Sequence, residues 1–314
     1  MTLTLTTTKR RSAAASEPSR EAKPAPQPDP SMAVQAIIRR ELITRVRNRT
    51  ILSATAILAL IAGAGAGVGG WFLVDAHGDG GTLALDPQIL FATAMITALL
   101  AALVYSAQSL ASGVVEEKSS RIVEILLTKI GVVPLLAGKM IGVGLVTLAQ
   151  LLVVGGAVVT GFSIVGGWGV LDVELGPSLL WFLVWFFQGF VIFATLSTLI
   201  AATVSRQEDL GTASTPLSVL QMVLLVIALY LVPEHLESGW VQALSFLPLF
   251  SSYMMPMRFA LDSVETYEIL IAVGIAAVAV PILFRLTTTI YRNNALRTGS
   301  RISLKESMVS DDNS

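Results

Sequence analysis

The 314-residue chain has no cysteine. That excludes disulfides, thiolate metal sites and cysteine nucleophiles, and leaves the redox compartment open. It has only two histidines, His77 and His235. Neither has a second histidine at ligand spacing, and the Asp75 and Asp79 that flank His77 read as a solvated loop, not a metal site. Charge is scarce too: 14% of residues are charged and the net charge is −1, so the overall balance points to no nucleic acid and no acidic partner. A nucleotide site is also missing. "GVVPLLAGKM", Gly131 to Met140, imitates a P-loop, but that loop needs a glycine where Val133 stands and a Ser or Thr where Met140 stands.

What the chain has is apolar length. Hydrophobic residues make up 54% of it and its mean hydropathy is +0.72, too apolar for ordinary soluble domains. A helix needs about 20 apolar residues to cross a hydrocarbon core of about 30 Å. Six runs qualify, at about Thr50 to Val74, Gln88 to Gly113, Met140 to Val165, Leu179 to Val204, Ala213 to Val232 and Tyr267 to Tyr291. The expected fold class is therefore an all-α polytopic membrane protein with six transmembrane helices. With both termini cytoplasmic, 20 of the 21 Lys/Arg fall on the inner side and only Arg258 outside, as the positive-inside rule requires. The expected location is the cell (cytoplasmic) membrane.

Three segments flank or interrupt this pattern. Residues 1–31 are rich in Ser, Pro, Ala and Lys/Arg without apolar periodicity and read as a disordered tail, with the transmembrane domain over 32–291 and a cytoplasmic tail over 292–314. "MAVQAIIRRELITRVRNR", Met32 to Arg49, places Val34, Ile37, Ile38, Leu42 and Val46 on one face opposite Arg39, Arg40 and Arg47, while Arg45 and Arg49 fall back on the apolar side. It reads as an imperfect basic amphipathic helix at headgroup level. Ser238 to Asp262 is apolar but interrupted by Pro248 and Pro256, and reads as a pair of short helices dipping into the outer leaflet and returning. In the first span, Gly63/Gly67 and Gly65/Gly69 form small-xxx-small pairs, which serve intrachain packing or a dimer contact equally well.

The span interiors hold no Asp, Glu, His or Lys, which argues against an ion relay of the secondary-transporter kind. Glu268 and Arg285 read as boundary residues. The polar groups inside the spans are neutral: Tyr105, Ser106, Gln108, Gln150, Gln188, Thr195, Ser197, Thr198 and Gln221. They line a path or hold helices together.

The densest charge lies in "EEKSSRIVEILLT", Glu116 to Thr128, between the second and third spans. At helical spacing Ser119, Ile122, Val123, Leu126 and Leu127 share one arc, and Glu117, Ser120, Arg121, Glu124 and Thr128 the opposite one. Glu117 with Arg121 and Arg121 with Glu124 are favourable helical pairs, but exposed pairs add only tenths of a kcal/mol. A rigid, mixed-sign ridge fits a groove on a soluble partner, whereas helices that only rest on lipid favour Lys/Arg. Glu116, Glu117, Lys118, Ser119, Ser120, Arg121, Glu124, Leu127 and Thr128 are the candidate docking residues. Gly138 and Lys139 are the candidate hinge and headgroup anchor at the turn into the third span.

"GVVEEKSSRIVEILLTKIGVVPLLAGKMIGVGLVTLAQ", Gly113 to Gln150, resembles the signature region of ABC-2 type permeases, in particular their sodium-efflux, NatB-like branch. "LPLFSSYMMPMRFAL" and "IYRNNALRTGSRISLKE" are similar to that family's C-terminal part. The resemblance implies a dimeric permease subunit of an ATP-binding cassette exporter, with no catalytic, cofactor or metal site of its own. ATP and magnesium would then sit on a separate ATPase docked at the stretch matching Glu116 to Thr128, and external re-entrant helices would match Gly239 to Arg258. The chain departs from the NatB-like pattern in having only "DAHGDGGTLALDPQ" between its first two spans, where an extracytoplasmic domain is common. A membrane scaffold that recruits a soluble partner, or a secondary transporter, are the alternatives.

Overall fold

The computed structural model describes residues 30–78, 87–119, 130–169 and 175–295. Among these residues every regular element is helical: α1 (Pro30–Val46), α2 (Arg49–Gly78), α3 (Pro87–Ser119), α4 (Val132–Ile164), α5 (Leu175–Thr203), α6 (Gln207–Val226), α7 (Gly239–Ser245), α8 (Pro248–Ala260) and α9 (Thr266–Ala295). Six helical segments are long and apolar enough to cross a membrane: Arg49–Asp75, Ile89–Lys118, Val132–Ile164, Leu179–Thr203, Gln207–Glu234 and Thr266–Asn293. They coincide with the six apolar runs of the sequence, and the chain is a multi-pass membrane protein.

The largest departures are in α3 and α4, each 33 residues long. At 1.5 Å per residue each measures about 50 Å, well beyond a hydrocarbon core of about 30 Å, so part of each projects past it. The charges of the two helices lie at the C-terminal end of α3 and in the N-terminal part of α4.

The helices pack around α5. Trp185, Ile192 and Phe193 of α5 are fully buried, as are Ile96, Leu99 and Leu103 of α3 and Tyr253 to Met255 of α8. Gly189 makes the close approach possible: a Cβ there would stand 2.8 Å from Leu103 and 3.0 Å from Ser252. α2 is peripheral and packs chiefly on α4 through glycines, since a Cβ on Gly161 would fall 2.0 Å from the Gly63 carbonyl oxygen. The Gly63/Gly67 pair is thus an intrachain contact with Ala157 and Gly161, while Gly65 and Gly69 face open space.

α6 continues through a π turn, Ile227–Leu231, into a last turn, Val232–Glu234. Pro233 explains the widening, because its ring crowds the carbonyl four residues back and offers it no N–H. The segment after it forms the expected two short helices, with Pro248 in the first turn of α8 and Pro256 inside α8 instead of breaking it. α8 ends in a Schellman motif: Asp262 adopts φ 55°, its N–H bonds to the Phe259 carbonyl, and the Ser263 N–H bonds to the Arg258 carbonyl.

Candidate functional site

The charges at the ends of α3 and α4 meet those of α1 in one cluster. Glu117, in the last turn of α3, is buried, and so is Lys139 of α4, whose Nζ lies 2.7 Å from Glu117 Oε2. Gly113, one turn earlier in α3, makes room for the lysine, since a Cβ there would stand 2.9 Å from Lys139 Cε. The other carboxylate oxygen of Glu117 accepts from Arg40 of α1 at 3.4 Å. Arg45 of α1 donates to Glu41 at 3.1 Å and to the Ser109 hydroxyl of α3.

Small residues on α4 seat α1 against it. A Cβ on Gly138 would lie 2.9 Å from Ile37, and one on Gly142 would lie 2.7 Å from Glu41. Beside Glu117, Lys118 turns the other way. Its Nζ donates to the Ala202 carbonyl at 2.9 Å and to the Val204 carbonyl at 3.4 Å, satisfying orphan acceptors at the C-terminus of α5. An apolar cluster that includes Val114, Val115, Leu136, Ala201, Leu210 and Tyr291 packs α3, α4, α5, α6 and α9 together beneath these charges.

The arrangement is a hub. Two consecutive side chains at the end of α3, Glu117 and Lys118, hold three of its neighbours: α4 and α1 through the carboxylate, and the C-terminal end of α5 through the ammonium. The end of α3 is therefore tied to several spans at once. The charges are held in low-dielectric surroundings, where removing one partner of an ion pair is far more costly than at a surface.

This placement revises part of the sequence reading. Glu117 and Lys118 do not stand on an outward polar ridge; they face the bundle. Lys139 does not reach to the headgroups, because it is satisfied by Glu117 inside the helix cluster. Gly138 does not lie in a turn: α4 begins at Val132 and runs through it, and the turn is at Gly131, with φ 80°. Glu116 is exposed at the end of α3, and Ser119 closes that helix. Ser120, Arg121, Glu124, Leu127 and Thr128 lie outside the described residues.

The sequence reading missed Arg40, Glu41, Arg45, Ser109, Gly113 and Gly142 as members of the cluster. One signal was available. Arg45 falls on the apolar side of α1, and the structure gives the reason: that side packs against α3 and α4, where Glu41 and Ser109 receive the guanidinium.

A second buried ion pair lies near the start of α9. Arg258 of α8 is fully buried and donates to Glu268 of α9 at 2.8 Å, to the Ser245 hydroxyl of α7 at 2.7 Å and to the Ser263 carbonyl at 2.9 Å. Glu268 is therefore no solvated boundary residue but the counter-charge that fastens α7 and α8 to α9. Among the described residues no group of His, Asp or Glu is placed to hold a metal ion.

Residues 85–288 match the family described as ABC-2 family transporter protein. The chain belongs to the ABC-2 family. Among curated proteins, this ABC-2 transporter membrane component is 26% identical over 220 residues to YhaP of Bacillus subtilis (strain 168), covering 67% of this chain and 52% of that protein. It is 24% identical over 196 residues to MJ1024 of Methanocaldococcus jannaschii, covering 62% of this chain and 47% of that protein. The chain thus spans about half the length of the curated relatives it matches.

Proposed function

We propose that this ABC-2 protein is the permease subunit of an ATP-binding cassette exporter, with both termini cytoplasmic and the partner ATPase docked on the connection between α3 and α4, residues 120–131. The observation that carries the reading is the hub at the base of that connection, where Glu117 and Lys118 grip α1, α4 and α5. ATP binding closes the partner and shifts the connection. Lys118 passes the shift to the end of α5 and the start of α6, while Glu117 passes it to α4 and α1. Such coupling requires an element held differently in two states, and the cost of leaving a buried charge unpaired makes α1, α3 and α4 move together and not separately.

On this reading α7 and α8 form the external re-entrant segment, clamped to α9 by Arg258 and Glu268. A second permease copy covers the outward face of α3, which exposes Thr97, Tyr105 and Gln108 within a membrane span, where lipid cannot satisfy them. The same side chains line the path, and their neutral character suits a lipid-like or amphipathic substrate moved outward.

The test is ATP turnover by the partner ATPase in lipid nanodiscs, with the unaltered chain or with Arg121→Glu combined with Glu124→Arg. Binding and altered turnover with the unaltered chain, both lost on the swap, support docking at this connection. Equal behaviour of the two folded proteins overturns it.

A further inference from the structure

α1 has two faces, and only one of them is used inside the protein. The inner face, with Ala33 and Ile37 buried, packs on Gly138 and Gly142 of α4. This is the face whose apolar spacing suggested contact with lipid. The opposite stripe, Met32, Ala36, Arg39, Ile43 and Val46, recurs every three or four residues and is exposed, with Met32 67%, Ile43 44% and Val46 57% accessible. Arg40 and Arg47 flank it on one edge, and Arg49 opens α2. Among the described residues, no carboxylate pairs with Arg39, Arg47 or Arg49, and the helix's own acid, Glu41, is turned inward onto Arg45. The outer face thus alternates apolar side chains with Arg39 along its stripe, and the only charges it carries are basic.

We propose that this outer face of α1 binds anionic phospholipid headgroups on the surface of the bilayer that α2 enters. α1 ends at Val46 and α2 begins at Arg49, so the last turn of α1 stands where the chain passes into hydrocarbon. An interfacial helix seats its apolar side chains in the headgroup and acyl boundary while its arginines reach the phosphates. Met32, Ile43 and Val46 would gain nothing from an acidic protein patch, whereas a lipid surface satisfies both halves of the face. The inference rests on the membrane assignment alone and not on the direction of transport.

The full chain lacks cysteine, so Ile43→Cys gives a unique site for an environment-sensitive fluorophore. The labelled protein is placed in phosphatidylcholine nanodiscs with rising phosphatidylglycerol content. The expected result is a shift of emission towards an apolar environment as phosphatidylglycerol rises. Its half-point should move to higher phosphatidylglycerol content for Arg39→Gln or Arg47→Gln and further for both, reflecting an affinity loss of about five-fold per arginine and roughly 30-fold for the two. Arg39→Lys and Arg47→Lys, which keep the charge, should retain the response, and Arg206→Gln, which removes a charge from an exposed residue on another loop, should leave it unchanged. Emission indifferent to phosphatidylglycerol, or a response unaltered by the double neutralisation, overturns the proposal. So does a shift that appears only when the ATPase is added, which would make the face a protein contact.

Discussion

Replacing Glu117 by Gln removes the carboxylate that Lys139 and Arg40 share. At 2.7 Å from Lys139 Nζ, the pair attracts by about 6 kcal/mol at an effective dielectric near 20. Much of that offsets the desolvation of two groups whose side chains are only 10% and 3% exposed. The loss on mutation is set by what is left behind. A buried ammonium without its partner is expected to destabilise the fold by about 3–5 kcal/mol, whereas Glu117→Gln with Lys139→Met leaves no orphan charge and should return most of that. Arg40→Gln should lose under about 1 kcal/mol, because its side chain is 54% exposed and its contact is 3.4 Å. The measurement is a double-mutant cycle of unfolding midpoints for the full chain in mixed micelles. If Glu117→Gln costs less than about 1 kcal/mol, or if the double variant loses as much as the two single ones together, the pair is not a buried coupled element and the hub argument fails.

Arg258→Met should destabilise by a similar margin, since Glu268 is then stranded beside Ser245 and Ser263; an unchanged unfolding midpoint would refute the clamp. Gly161→Ala should prise α2 from α4, because its Cβ would fall 2.0 Å from the Gly63 carbonyl oxygen, with a loss of about 1–3 kcal/mol. Gly155→Ala, where nothing lies within 4 Å, should be nearly neutral when the same unfolding midpoints are measured, and equal effects of the two would contradict the glycine contact.

The spans were legible because hydropathy is summed over a window and needs no knowledge of neighbours. Twenty apolar residues announce a membrane helix wherever their side chains point. The hub was not legible in the same way. Glu117 and Lys139 belong to different helices, Arg40 lies 77 residues from Glu117, and only packing shows that the three meet. Local spacing even pointed elsewhere, because Glu117 and Arg121 are matched on a helical wheel. Arg258 and Glu268 illustrate the opposite case. They are 10 residues apart, yet Glu268 was read as a boundary residue because the turn that folds α8 back onto α9 depends on the positive φ of Asp262. The two short helices expected within Ser238 to Asp262 are present, but of the two prolines only Pro248 stands at a helix boundary, while Pro256 lies inside α8, so proline alone does not write the break.

The glycine seam between α2 and α4 also bears on how the protein is made. α2 finds its partner helix only after roughly 90 further residues have been added, since Gly63 packs on Ala157. At about 5–20 residues per second, the newborn first span spends roughly 5–20 s in the bilayer with a bare glycine face and no seat. During biogenesis α2 is therefore exposed to mispairing for that interval, and an insertase that shelters early helices would matter for it.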